Sequence, residues 1–240
     1  MGRPRCRVDL LSRIRIVERT GSTNADLLAE AGAVEGDWLV ARAQESGRGR
    51  QGRKWVSTPG NFFGSTIVNL RAGDPPAQSL SMAAGVALIR AVEVAAPATG
   101  LILKWPNDLL IGSAKLAGVL LERSGDRVVA GFGVNLAAAP EVPGRETAAL
   151  ASVALVSPQS FAPLLAAAFS RALDMWRSDP VRLLTSWMES AHPVGTELTV
   201  HVSPDEVISG RFAGIEPDGA LRLQLESGET PLVRAGDVEL

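Results

Sequence analysis

Gly47-Arg48-Gly49-Arg50-Gln51-Gly52-Arg53-Lys54-Trp55 interleaves three glycines with three arginines and a lysine. Glycine lets a backbone turn sharply and come close to a ligand, and the cations donate hydrogen bonds to carboxylates and phosphates. The stretch is too polar for a core and too rich in glycine for a stable helix. It reads as a loop built to close over a phosphate. The same residues also fit G-x-G-x-x-G, but a dinucleotide-binding turn needs a helix opening within the motif. Here Lys54 to Asn61 continues with turn chemistry and no apolar 3.6-residue period. A kinase loop would be followed by His-Arg-Asp and Asp-Phe-Gly, and neither tripeptide occurs. A solvated basic loop with no ligand stays open at this point.

Working outward, the loop lies between two predicted strands, Trp38 to Ala43 and Phe62 to Leu70. Ile14 to Glu18 reads as a short strand, and Thr20-Gly21-Ser22-Thr23-Asn24 offers caps to a helix over Ala25 to Ala31. A helix over Gln78 to Ala95 is expected next. Strands follow at Leu101 to Lys104, Asp108 to Ile111, Leu116 to Arg123 and Arg127 to Asn135. Two helices, Phe161 to Arg177 and Val181 to Ser190, are separated by Asp179-Pro180, since proline and the residue before it interrupt a helix. After Pro193 the texture becomes all-β, with strands at Leu198 to Val202, Val207 to Ile215, Leu221 to Leu225 and Leu232-Val233. Two domains are expected, residues 1–192 and 193–240.

The chain has 240 residues and 46% hydrophobic content, enough to bury a core. A net charge of −2 argues against binding nucleic acid by bulk charge. The single Cys6 leaves no intrachain disulfide framework or cysteine zinc cluster. His192 and His201 are the only histidines, so a histidine metal centre or a Ser-His-Asp triad has little to draw on. No run reaches the ~18 consecutive apolar residues that cross a membrane. The N-terminus carries Arg3, Arg5 and Arg7 but no apolar signal core. A cytoplasmic protein is expected.

Four further clusters carry chemistry. Lys104-Trp105-Pro106-Asn107-Asp108 packs a cation, an aromatic and two oxygen-bearing side chains together. Lys115-Leu116-Ala117-Gly118 sets a second lysine at the start of an apolar strand, and Gly131-Phe132-Gly133-Val134-Asn135 ends a strand with an amide. Thr20 to Asn24 places hydrogen-bonding groups at a helix start, where free N–H groups point outward. Each has an ordinary explanation alone: lysines snorkel, Asn-Asp makes turns, and Thr-Gly-Ser-Thr-Asn caps.

In this order, with Gln44 before the basic loop, the motifs resemble the biotin protein ligases of the monofunctional type. The resemblance runs from Thr20 through Asn135 and extends into the C-terminal module. It implies an α+β fold, a mixed sheet with helices like that of class II aminoacyl-tRNA synthetases, followed by a small SH3-like β-barrel. It implies that biotin and ATP form biotinyl-5′-AMP and pyrophosphate, after which a lysine of a biotin carboxyl carrier protein or domain takes the biotin. By the same resemblance Ser22, Thr23, Asn24 and Gln44 line the biotin ring pocket. Arg48, Gly49, Arg50 and Lys115 lie at the biotin carboxylate and phosphate. Gly47, Arg50, Trp55, Lys104, Asn107 and Asn135 belong to the ATP side, and Asp108 is the candidate to orient or deprotonate the acceptor lysine. Arg50, Lys115 and Asp108 are the expected catalytic groups. Mg²⁺ would bridge phosphates with few protein ligands.

Some features depart from the family pattern. Only about twenty residues precede Ser22, too few for a DNA-binding helix-turn-helix, so no DNA partner is expected; nor is a membrane, and a monomer or homodimer is. Gln51 stands where a third loop arginine is common, Phe132 where an aliphatic is, and tyrosine is absent. The loop, lacking a packing face, is expected to be mobile without ligand. Lipoate or octanoate ligases of the same fold, a nucleic-acid-binding module and a biotin-sensing regulator are the rival readings.

Overall fold

Hydrophobic strands and two long apolar helices build a three-layer body around one sheet. The computed structural model describes residues 13–97, 100–203 and 205–239; Cys6 and Arg3, Arg5 and Arg7 lie outside them. The strands of the larger sheet are β1 (Ile14–Thr20), β2 (Trp38–Gln44), β3 (Phe62–Asn69), β4 (Leu101–Lys104), β5 (Asp108–Ile111), β6 (Ala114–Ser124) and β7 (Arg127–Val134). Their order is β1-β2-β3-β7-β6-β5-β4. β1 pairs with β2 in parallel and all other pairs are antiparallel, so the sheet is mixed. A parallel neighbour demands a crossover, and α1 (Thr23–Ala29) supplies it. The helix starts two residues before the expected Ala25 because Ser22 is the cap, its Oγ accepting from the Ala25 N–H at 3.5 Å.

β3 is buried along nearly its whole length because both faces are covered. On one side Leu27 of α1 packs on Leu39, Ile67 and Val129. The other side carries α2 (Leu80–Ala95), α3 (Pro158–Ser178) and α4 (Pro180–Glu189). There Trp38 stacks on Phe132 at 5.6 Å, Phe132 meets Phe169 edge-on at 5.7 Å, and Phe62 meets Phe161 at 5.3 Å. Phe132 therefore does pack the core. Residues Ala77–Ala95, a 3₁₀ turn followed by α2, are long and apolar enough to span a membrane, but they lie mostly buried in this core. Asp179 closes α3 and caps α4 by accepting from the Arg182 N–H at 3.1 Å.

The C-terminal strands are β8 (Glu197–Ser203), β9 (Glu206–Ile215), β10 (Leu221–Gln224), β11 (Leu232–Val233) and β12 (Asp237–Glu239), in the order β11-β10-β9-β8-β12. β12 was not expected from the sequence. Leu198, Val200, Phe212 and Leu221 share one apolar cluster with Trp105 and Trp187, and the Trp105 indole N–H donates to Gly219 O at 2.9 Å. The whole is an α+β fold. Phe161, with no exposed surface, joins α3 to the sheet. Phe161→Ala should lower the free energy of unfolding by about 3–5 kcal/mol, read as a shift in the denaturant midpoint.

Candidate active site

Successive side chains of a strand point to opposite faces, so Val129, Gly131 and Gly133 of β7 share the face that α1 covers. Register sets Gly131 between Ser65 of β3 and Leu120 of β6, and Gly133 beside Gly118. Beyond Val129 this face of β7 is thus stripped of side chains, and other groups lie directly on its backbone. A Cβ at Gly131 would stand 2.1 Å from Asn24 Oδ1, and one at Gly133 2.3 Å from the Trp55 ring. At Gly118 a Cβ would meet Lys115 Nζ at 3.2 Å.

The N-terminus of α1 makes the polar wall. Ser22, Thr23 and Asn24 are all buried. The Thr23 N–H donates to Gln44 Oε1 at 2.8 Å, and Thr23 Oγ1 lies 3.1 Å from the same oxygen and 2.7 Å from Ser65 Oγ. Gln44 is held in turn by its own N–H, which donates to Ser57 Oγ at 2.8 Å. The Asn24 amide donates to Leu120 O at 3.2 Å and Glu122 Oε2 at 2.8 Å, and its Oδ1 lies 2.6 Å from Ser65 Oγ.

The basic loop folds as a small hairpin. Arg48 bridges Lys54, the Gly49 N–H donates to Arg53 O at 2.7 Å, and the Trp55 N–H to Gly47 O at 2.9 Å. Its turn spans Arg50–Gly52, with Gln51 in the left-handed region at φ 55°. The expected lack of a packing face is corrected by the structure: the hairpin leans on β12. Arg53 Nη2 lies 2.8 Å from Asp237 Oδ1, Arg50 Nη1 lies 3.6 Å from it, and Arg145 Nη2 lies 3.9 Å from Oδ2. Arg50 also donates to Gly236 O at 3.0 Å. Burial lowers the Arg50 pKa, opposed by Asp237 and Asp108. Burial pushes Asp237 up, but the hydrogen bond from Arg53 and the charges of Arg53, Arg50 and Arg145 hold it below the ordinary carboxylate range. Arg145 reaches the hub because Thr147 bridges Lys115, with the Lys115 N–H donating to Glu146 O at 2.9 Å.

Lys115 Nζ pairs with Asp108 Oδ1 at 2.6 Å and lies 5.5 Å from the Trp55 ring centroid, a cation–π approach. Asn107 donates to Val119 O at 2.6 Å while its Oδ1 faces Arg50 at 3.5 Å. Asn135 is buried and accepts from Asn61 Nδ2 at 3.3 Å. These elements enclose a cavity of about 350 Å³, within the range of small-molecule sites. Every site residue expected from the sequence lines it except Gly47 and Lys104. Gly47 instead shapes the hairpin, since a Cβ there would press within 2.9 Å of Trp55 O. Lys104, opposite Asp108 in the β4–β5 pair, borders a smaller cavity with His192. Burial depresses the pKa of both, and the Lys104 charge depresses His192 further.

Arg145, Asp237, Ser65 and Glu122 were missed. Alternating glycines inside a strand are a legible sign of close backbone approach, and Gly131 and Gly133 could have drawn attention to Ser65 across the ladder. No local signal marks Asp237. Among the described residues no group of three His, Cys, Asp or Glu gathers to hold a metal. Chemically, the cleft joins a neutral hydrogen-bonding pocket at one end to a cationic, partly dehydrated end that suits phosphates and developing negative charge.

The Biotin/lipoate A/B protein ligase family model matches residues 15–136, and the biotin protein ligase C terminal domain matches residues 195–240. A biotin--[acetyl-CoA-carboxylase] ligase of Paracoccus denitrificans is 39% identical, covering 89% of this chain and 95% of that protein. The Mycobacterium tuberculosis protein of the same name is 34% identical over 94% and 88%. A solved biotin protein ligase from Aquifex aeolicus, in complex with biotin and ATP, superimposes with a TM-score of 0.80 over 95% of this chain and 97% of that one. At 24% identity that likeness speaks to the fold alone.

Two substitutions test the geometry. Asp237→Ala should free the hairpin, raising tryptic cleavage after Arg50 and Arg53 about tenfold, the scale of one lost charge-assisted bond, with the circular dichroism spectrum unchanged. Gly133→Ala should drive the Trp55 indole off the sheet, seen as a displaced Trp55 resonance in the ¹⁹F spectrum of fluorotryptophan-labelled protein, assigned by Trp55→Phe, with the resonances of the four buried tryptophans unmoved.

Proposed function

The chain belongs to the Biotin/lipoate A/B protein ligase family, as an enzyme of the biotin protein ligase group, and from that premise we propose the following reaction course. The biotin carboxylate attacks the α-phosphorus of ATP, forming biotinyl-5′-AMP and releasing pyrophosphate. The ε-amine of a carrier-protein lysine then attacks the acyl carbon; an amide forms and AMP leaves. The observation that carries this reading is one continuous cleft, with the Thr23–Gln44 wall at its neutral end and Arg50 and Lys115 at its cationic end.

Two anions must approach each other in the first step, so fixed cations matter most where charge develops. Arg50 is suited to the phosphates because burial strengthens its field. Lys115, held by Asp108 and laid over Trp55, is poised for the oxygen between acyl and phosphoryl groups. Ser22, Thr23, Asn24 and Gln44 receive the ring, and Arg48 and Gly49 cover the chain and carboxylate. Trp55, Asn107 and Asn135 form the nucleotide side, with Gly47 shaping the loop and Lys104 contributing charge from behind. Asp108 is the group to draw in the acceptor amine. The oxygens of Asn107 and Asn135 already meet Arg50 and Asn61, so the residues fit a Mg²⁺ carried by the nucleotide's phosphates, which neutralises their charge when bound. Residues 1–192 would form the catalytic domain and 193–240 a domain that completes its phosphate side. Biotin carboxyl carrier domains are the proposed acceptors. The lipoate or octanoate alternative draws no support from the named relatives, which are biotin ligases.

The test supplies α-labelled ATP with biotin, lipoate or octanoate. Labelled acyl-adenylate should form with biotin only and fall about 10²- to 10³-fold in Arg50→Ala and Lys115→Ala, the scale of losing one preorganised donor. Adenylate from lipoate in place of biotin would sink the substrate assignment.

A further inference from the structure

Glu122 lies outside the cleft lining, yet it stands at the head of a chain of hydrogen bonds, buried at Ser65, that ends in the cleft. Its carboxylate and the Leu120 carbonyl can only accept, and both face the same edge of the Asn24 amide, at 2.8 and 3.2 Å. The NH₂ group must therefore point that way, which turns Oδ1 toward Ser65 at 2.6 Å. The amide lies against bare Gly131, where a Cβ would come within 2.1 Å of it.

The remaining protons follow in order. Oδ1 has no proton, so the single Ser65 hydroxyl proton is committed to it. The Thr23 hydroxyl, 2.7 Å from Ser65 Oγ and 3.1 Å from Gln44 Oε1, must then give its own proton to one of these two oxygens. Gln44 cannot turn its NH₂ inward, because the Thr23 backbone N–H already donates to Oε1 at 2.8 Å. Thr23 is left facing the cleft with lone pairs and no proton.

We propose that Glu122 is a positioning residue for substrate recognition: by fixing the Asn24 amide it makes the Thr23 hydroxyl an obligate acceptor, which selects a cyclic urea through its N–H. The inference rests on the ligase reading above. Were the Asn24 amide reversed, its NH₂ would donate to Ser65, the Ser65 proton would pass to Thr23, and the Thr23 proton, held only by the 3.1 Å contact to Gln44 Oε1, could turn to a ligand oxygen. The pocket would then tolerate an acceptor where the urea has a donor.

The experiment measures biotin-dependent adenylate formation against the two cyclic carbamates in which oxygen replaces either ureido N–H. Unsubstituted protein should prefer the urea over the worse carbamate by about a hundredfold or more in kcat/KM, as expected when a buried polar group loses its partner. Glu122→Gln keeps an acceptor oxygen and should stay within about threefold of that preference. Glu122→Lys presents a donor to the amide and should cut the preference at least about tenfold, with the change in KM for biotin rather than kcat. Glu122→Leu leaves only the longer bond to the Leu120 carbonyl to hold the amide, so it should cut the preference by about three- to tenfold, and it decides the matter if the lysine variant does not fold. Lysine and leucine variants that make adenylate from biotin while both keeping the original preference within about twofold would overturn the proposal. No adenylate from the unsubstituted protein would overturn the ligase reading itself, and this inference with it.

Discussion

Close approach to a bare sheet is the constraint from which the cleft follows. Gly118 meets Gly133 only because β6 and β7 pair in one register, and a slip of one residue would turn Gly118 to the opposite face, toward α2 and α3. Asn24, Trp55 and Lys115 occupy the volume that side chains would otherwise fill. The same strands carry Val129 and Phe132 into apolar clusters on opposite faces. One ladder thus binds the core and exposes the backbone within a few residues.

Charge is arranged around a second constraint. Arg50, Arg53 and Arg145 would repel one another if crowded together without an anion, and Asp237 supplies it. Because that carboxylate belongs to the small C-terminal sheet, the sheet is part of the cationic end of the cleft and more than a cover for the apolar core. The pairing of Lys115 with Asp108 does the same nearer the floor. Both acids leave the site cationic while keeping its arginines and lysine pointed inward.

Much of the fold was legible because strands and helices here obey simple periods. Leu101–Lys104, Asp108–Ile111 and Leu232–Val233 begin and end where their patterns and turns say, and Asp179-Pro180 breaks the helices as proline chemistry requires. α1 began early because, of the capping residues from Thr20 to Asn24, Ser22 is the one that caps it. β12 escaped notice because three residues flanked by Gly236 carry too little period to read. In the cleft, motifs close in sequence were found readily, since their chemistry is local. Ser65, Glu122, Arg145 and Asp237 were not, for each gains its meaning from a partner across a ladder or from another sheet. Ser65 looks like any strand serine until Gly131 is seen beside it.

The bond from Arg53 to Asp237 joins residues 184 apart in the chain. Loop closure over such a distance comes late, after local contacts have reduced the entropy of the intervening segment. During synthesis the larger sheet and its helices can therefore fold while the last strands are still within the ribosome. The polar wall around Thr23 can exist at that stage, but the arginine cluster lacks its main counter-ion, Asp237, until β12 emerges. A nascent chain would thus form its neutral pocket before the cationic end of the cleft is complete.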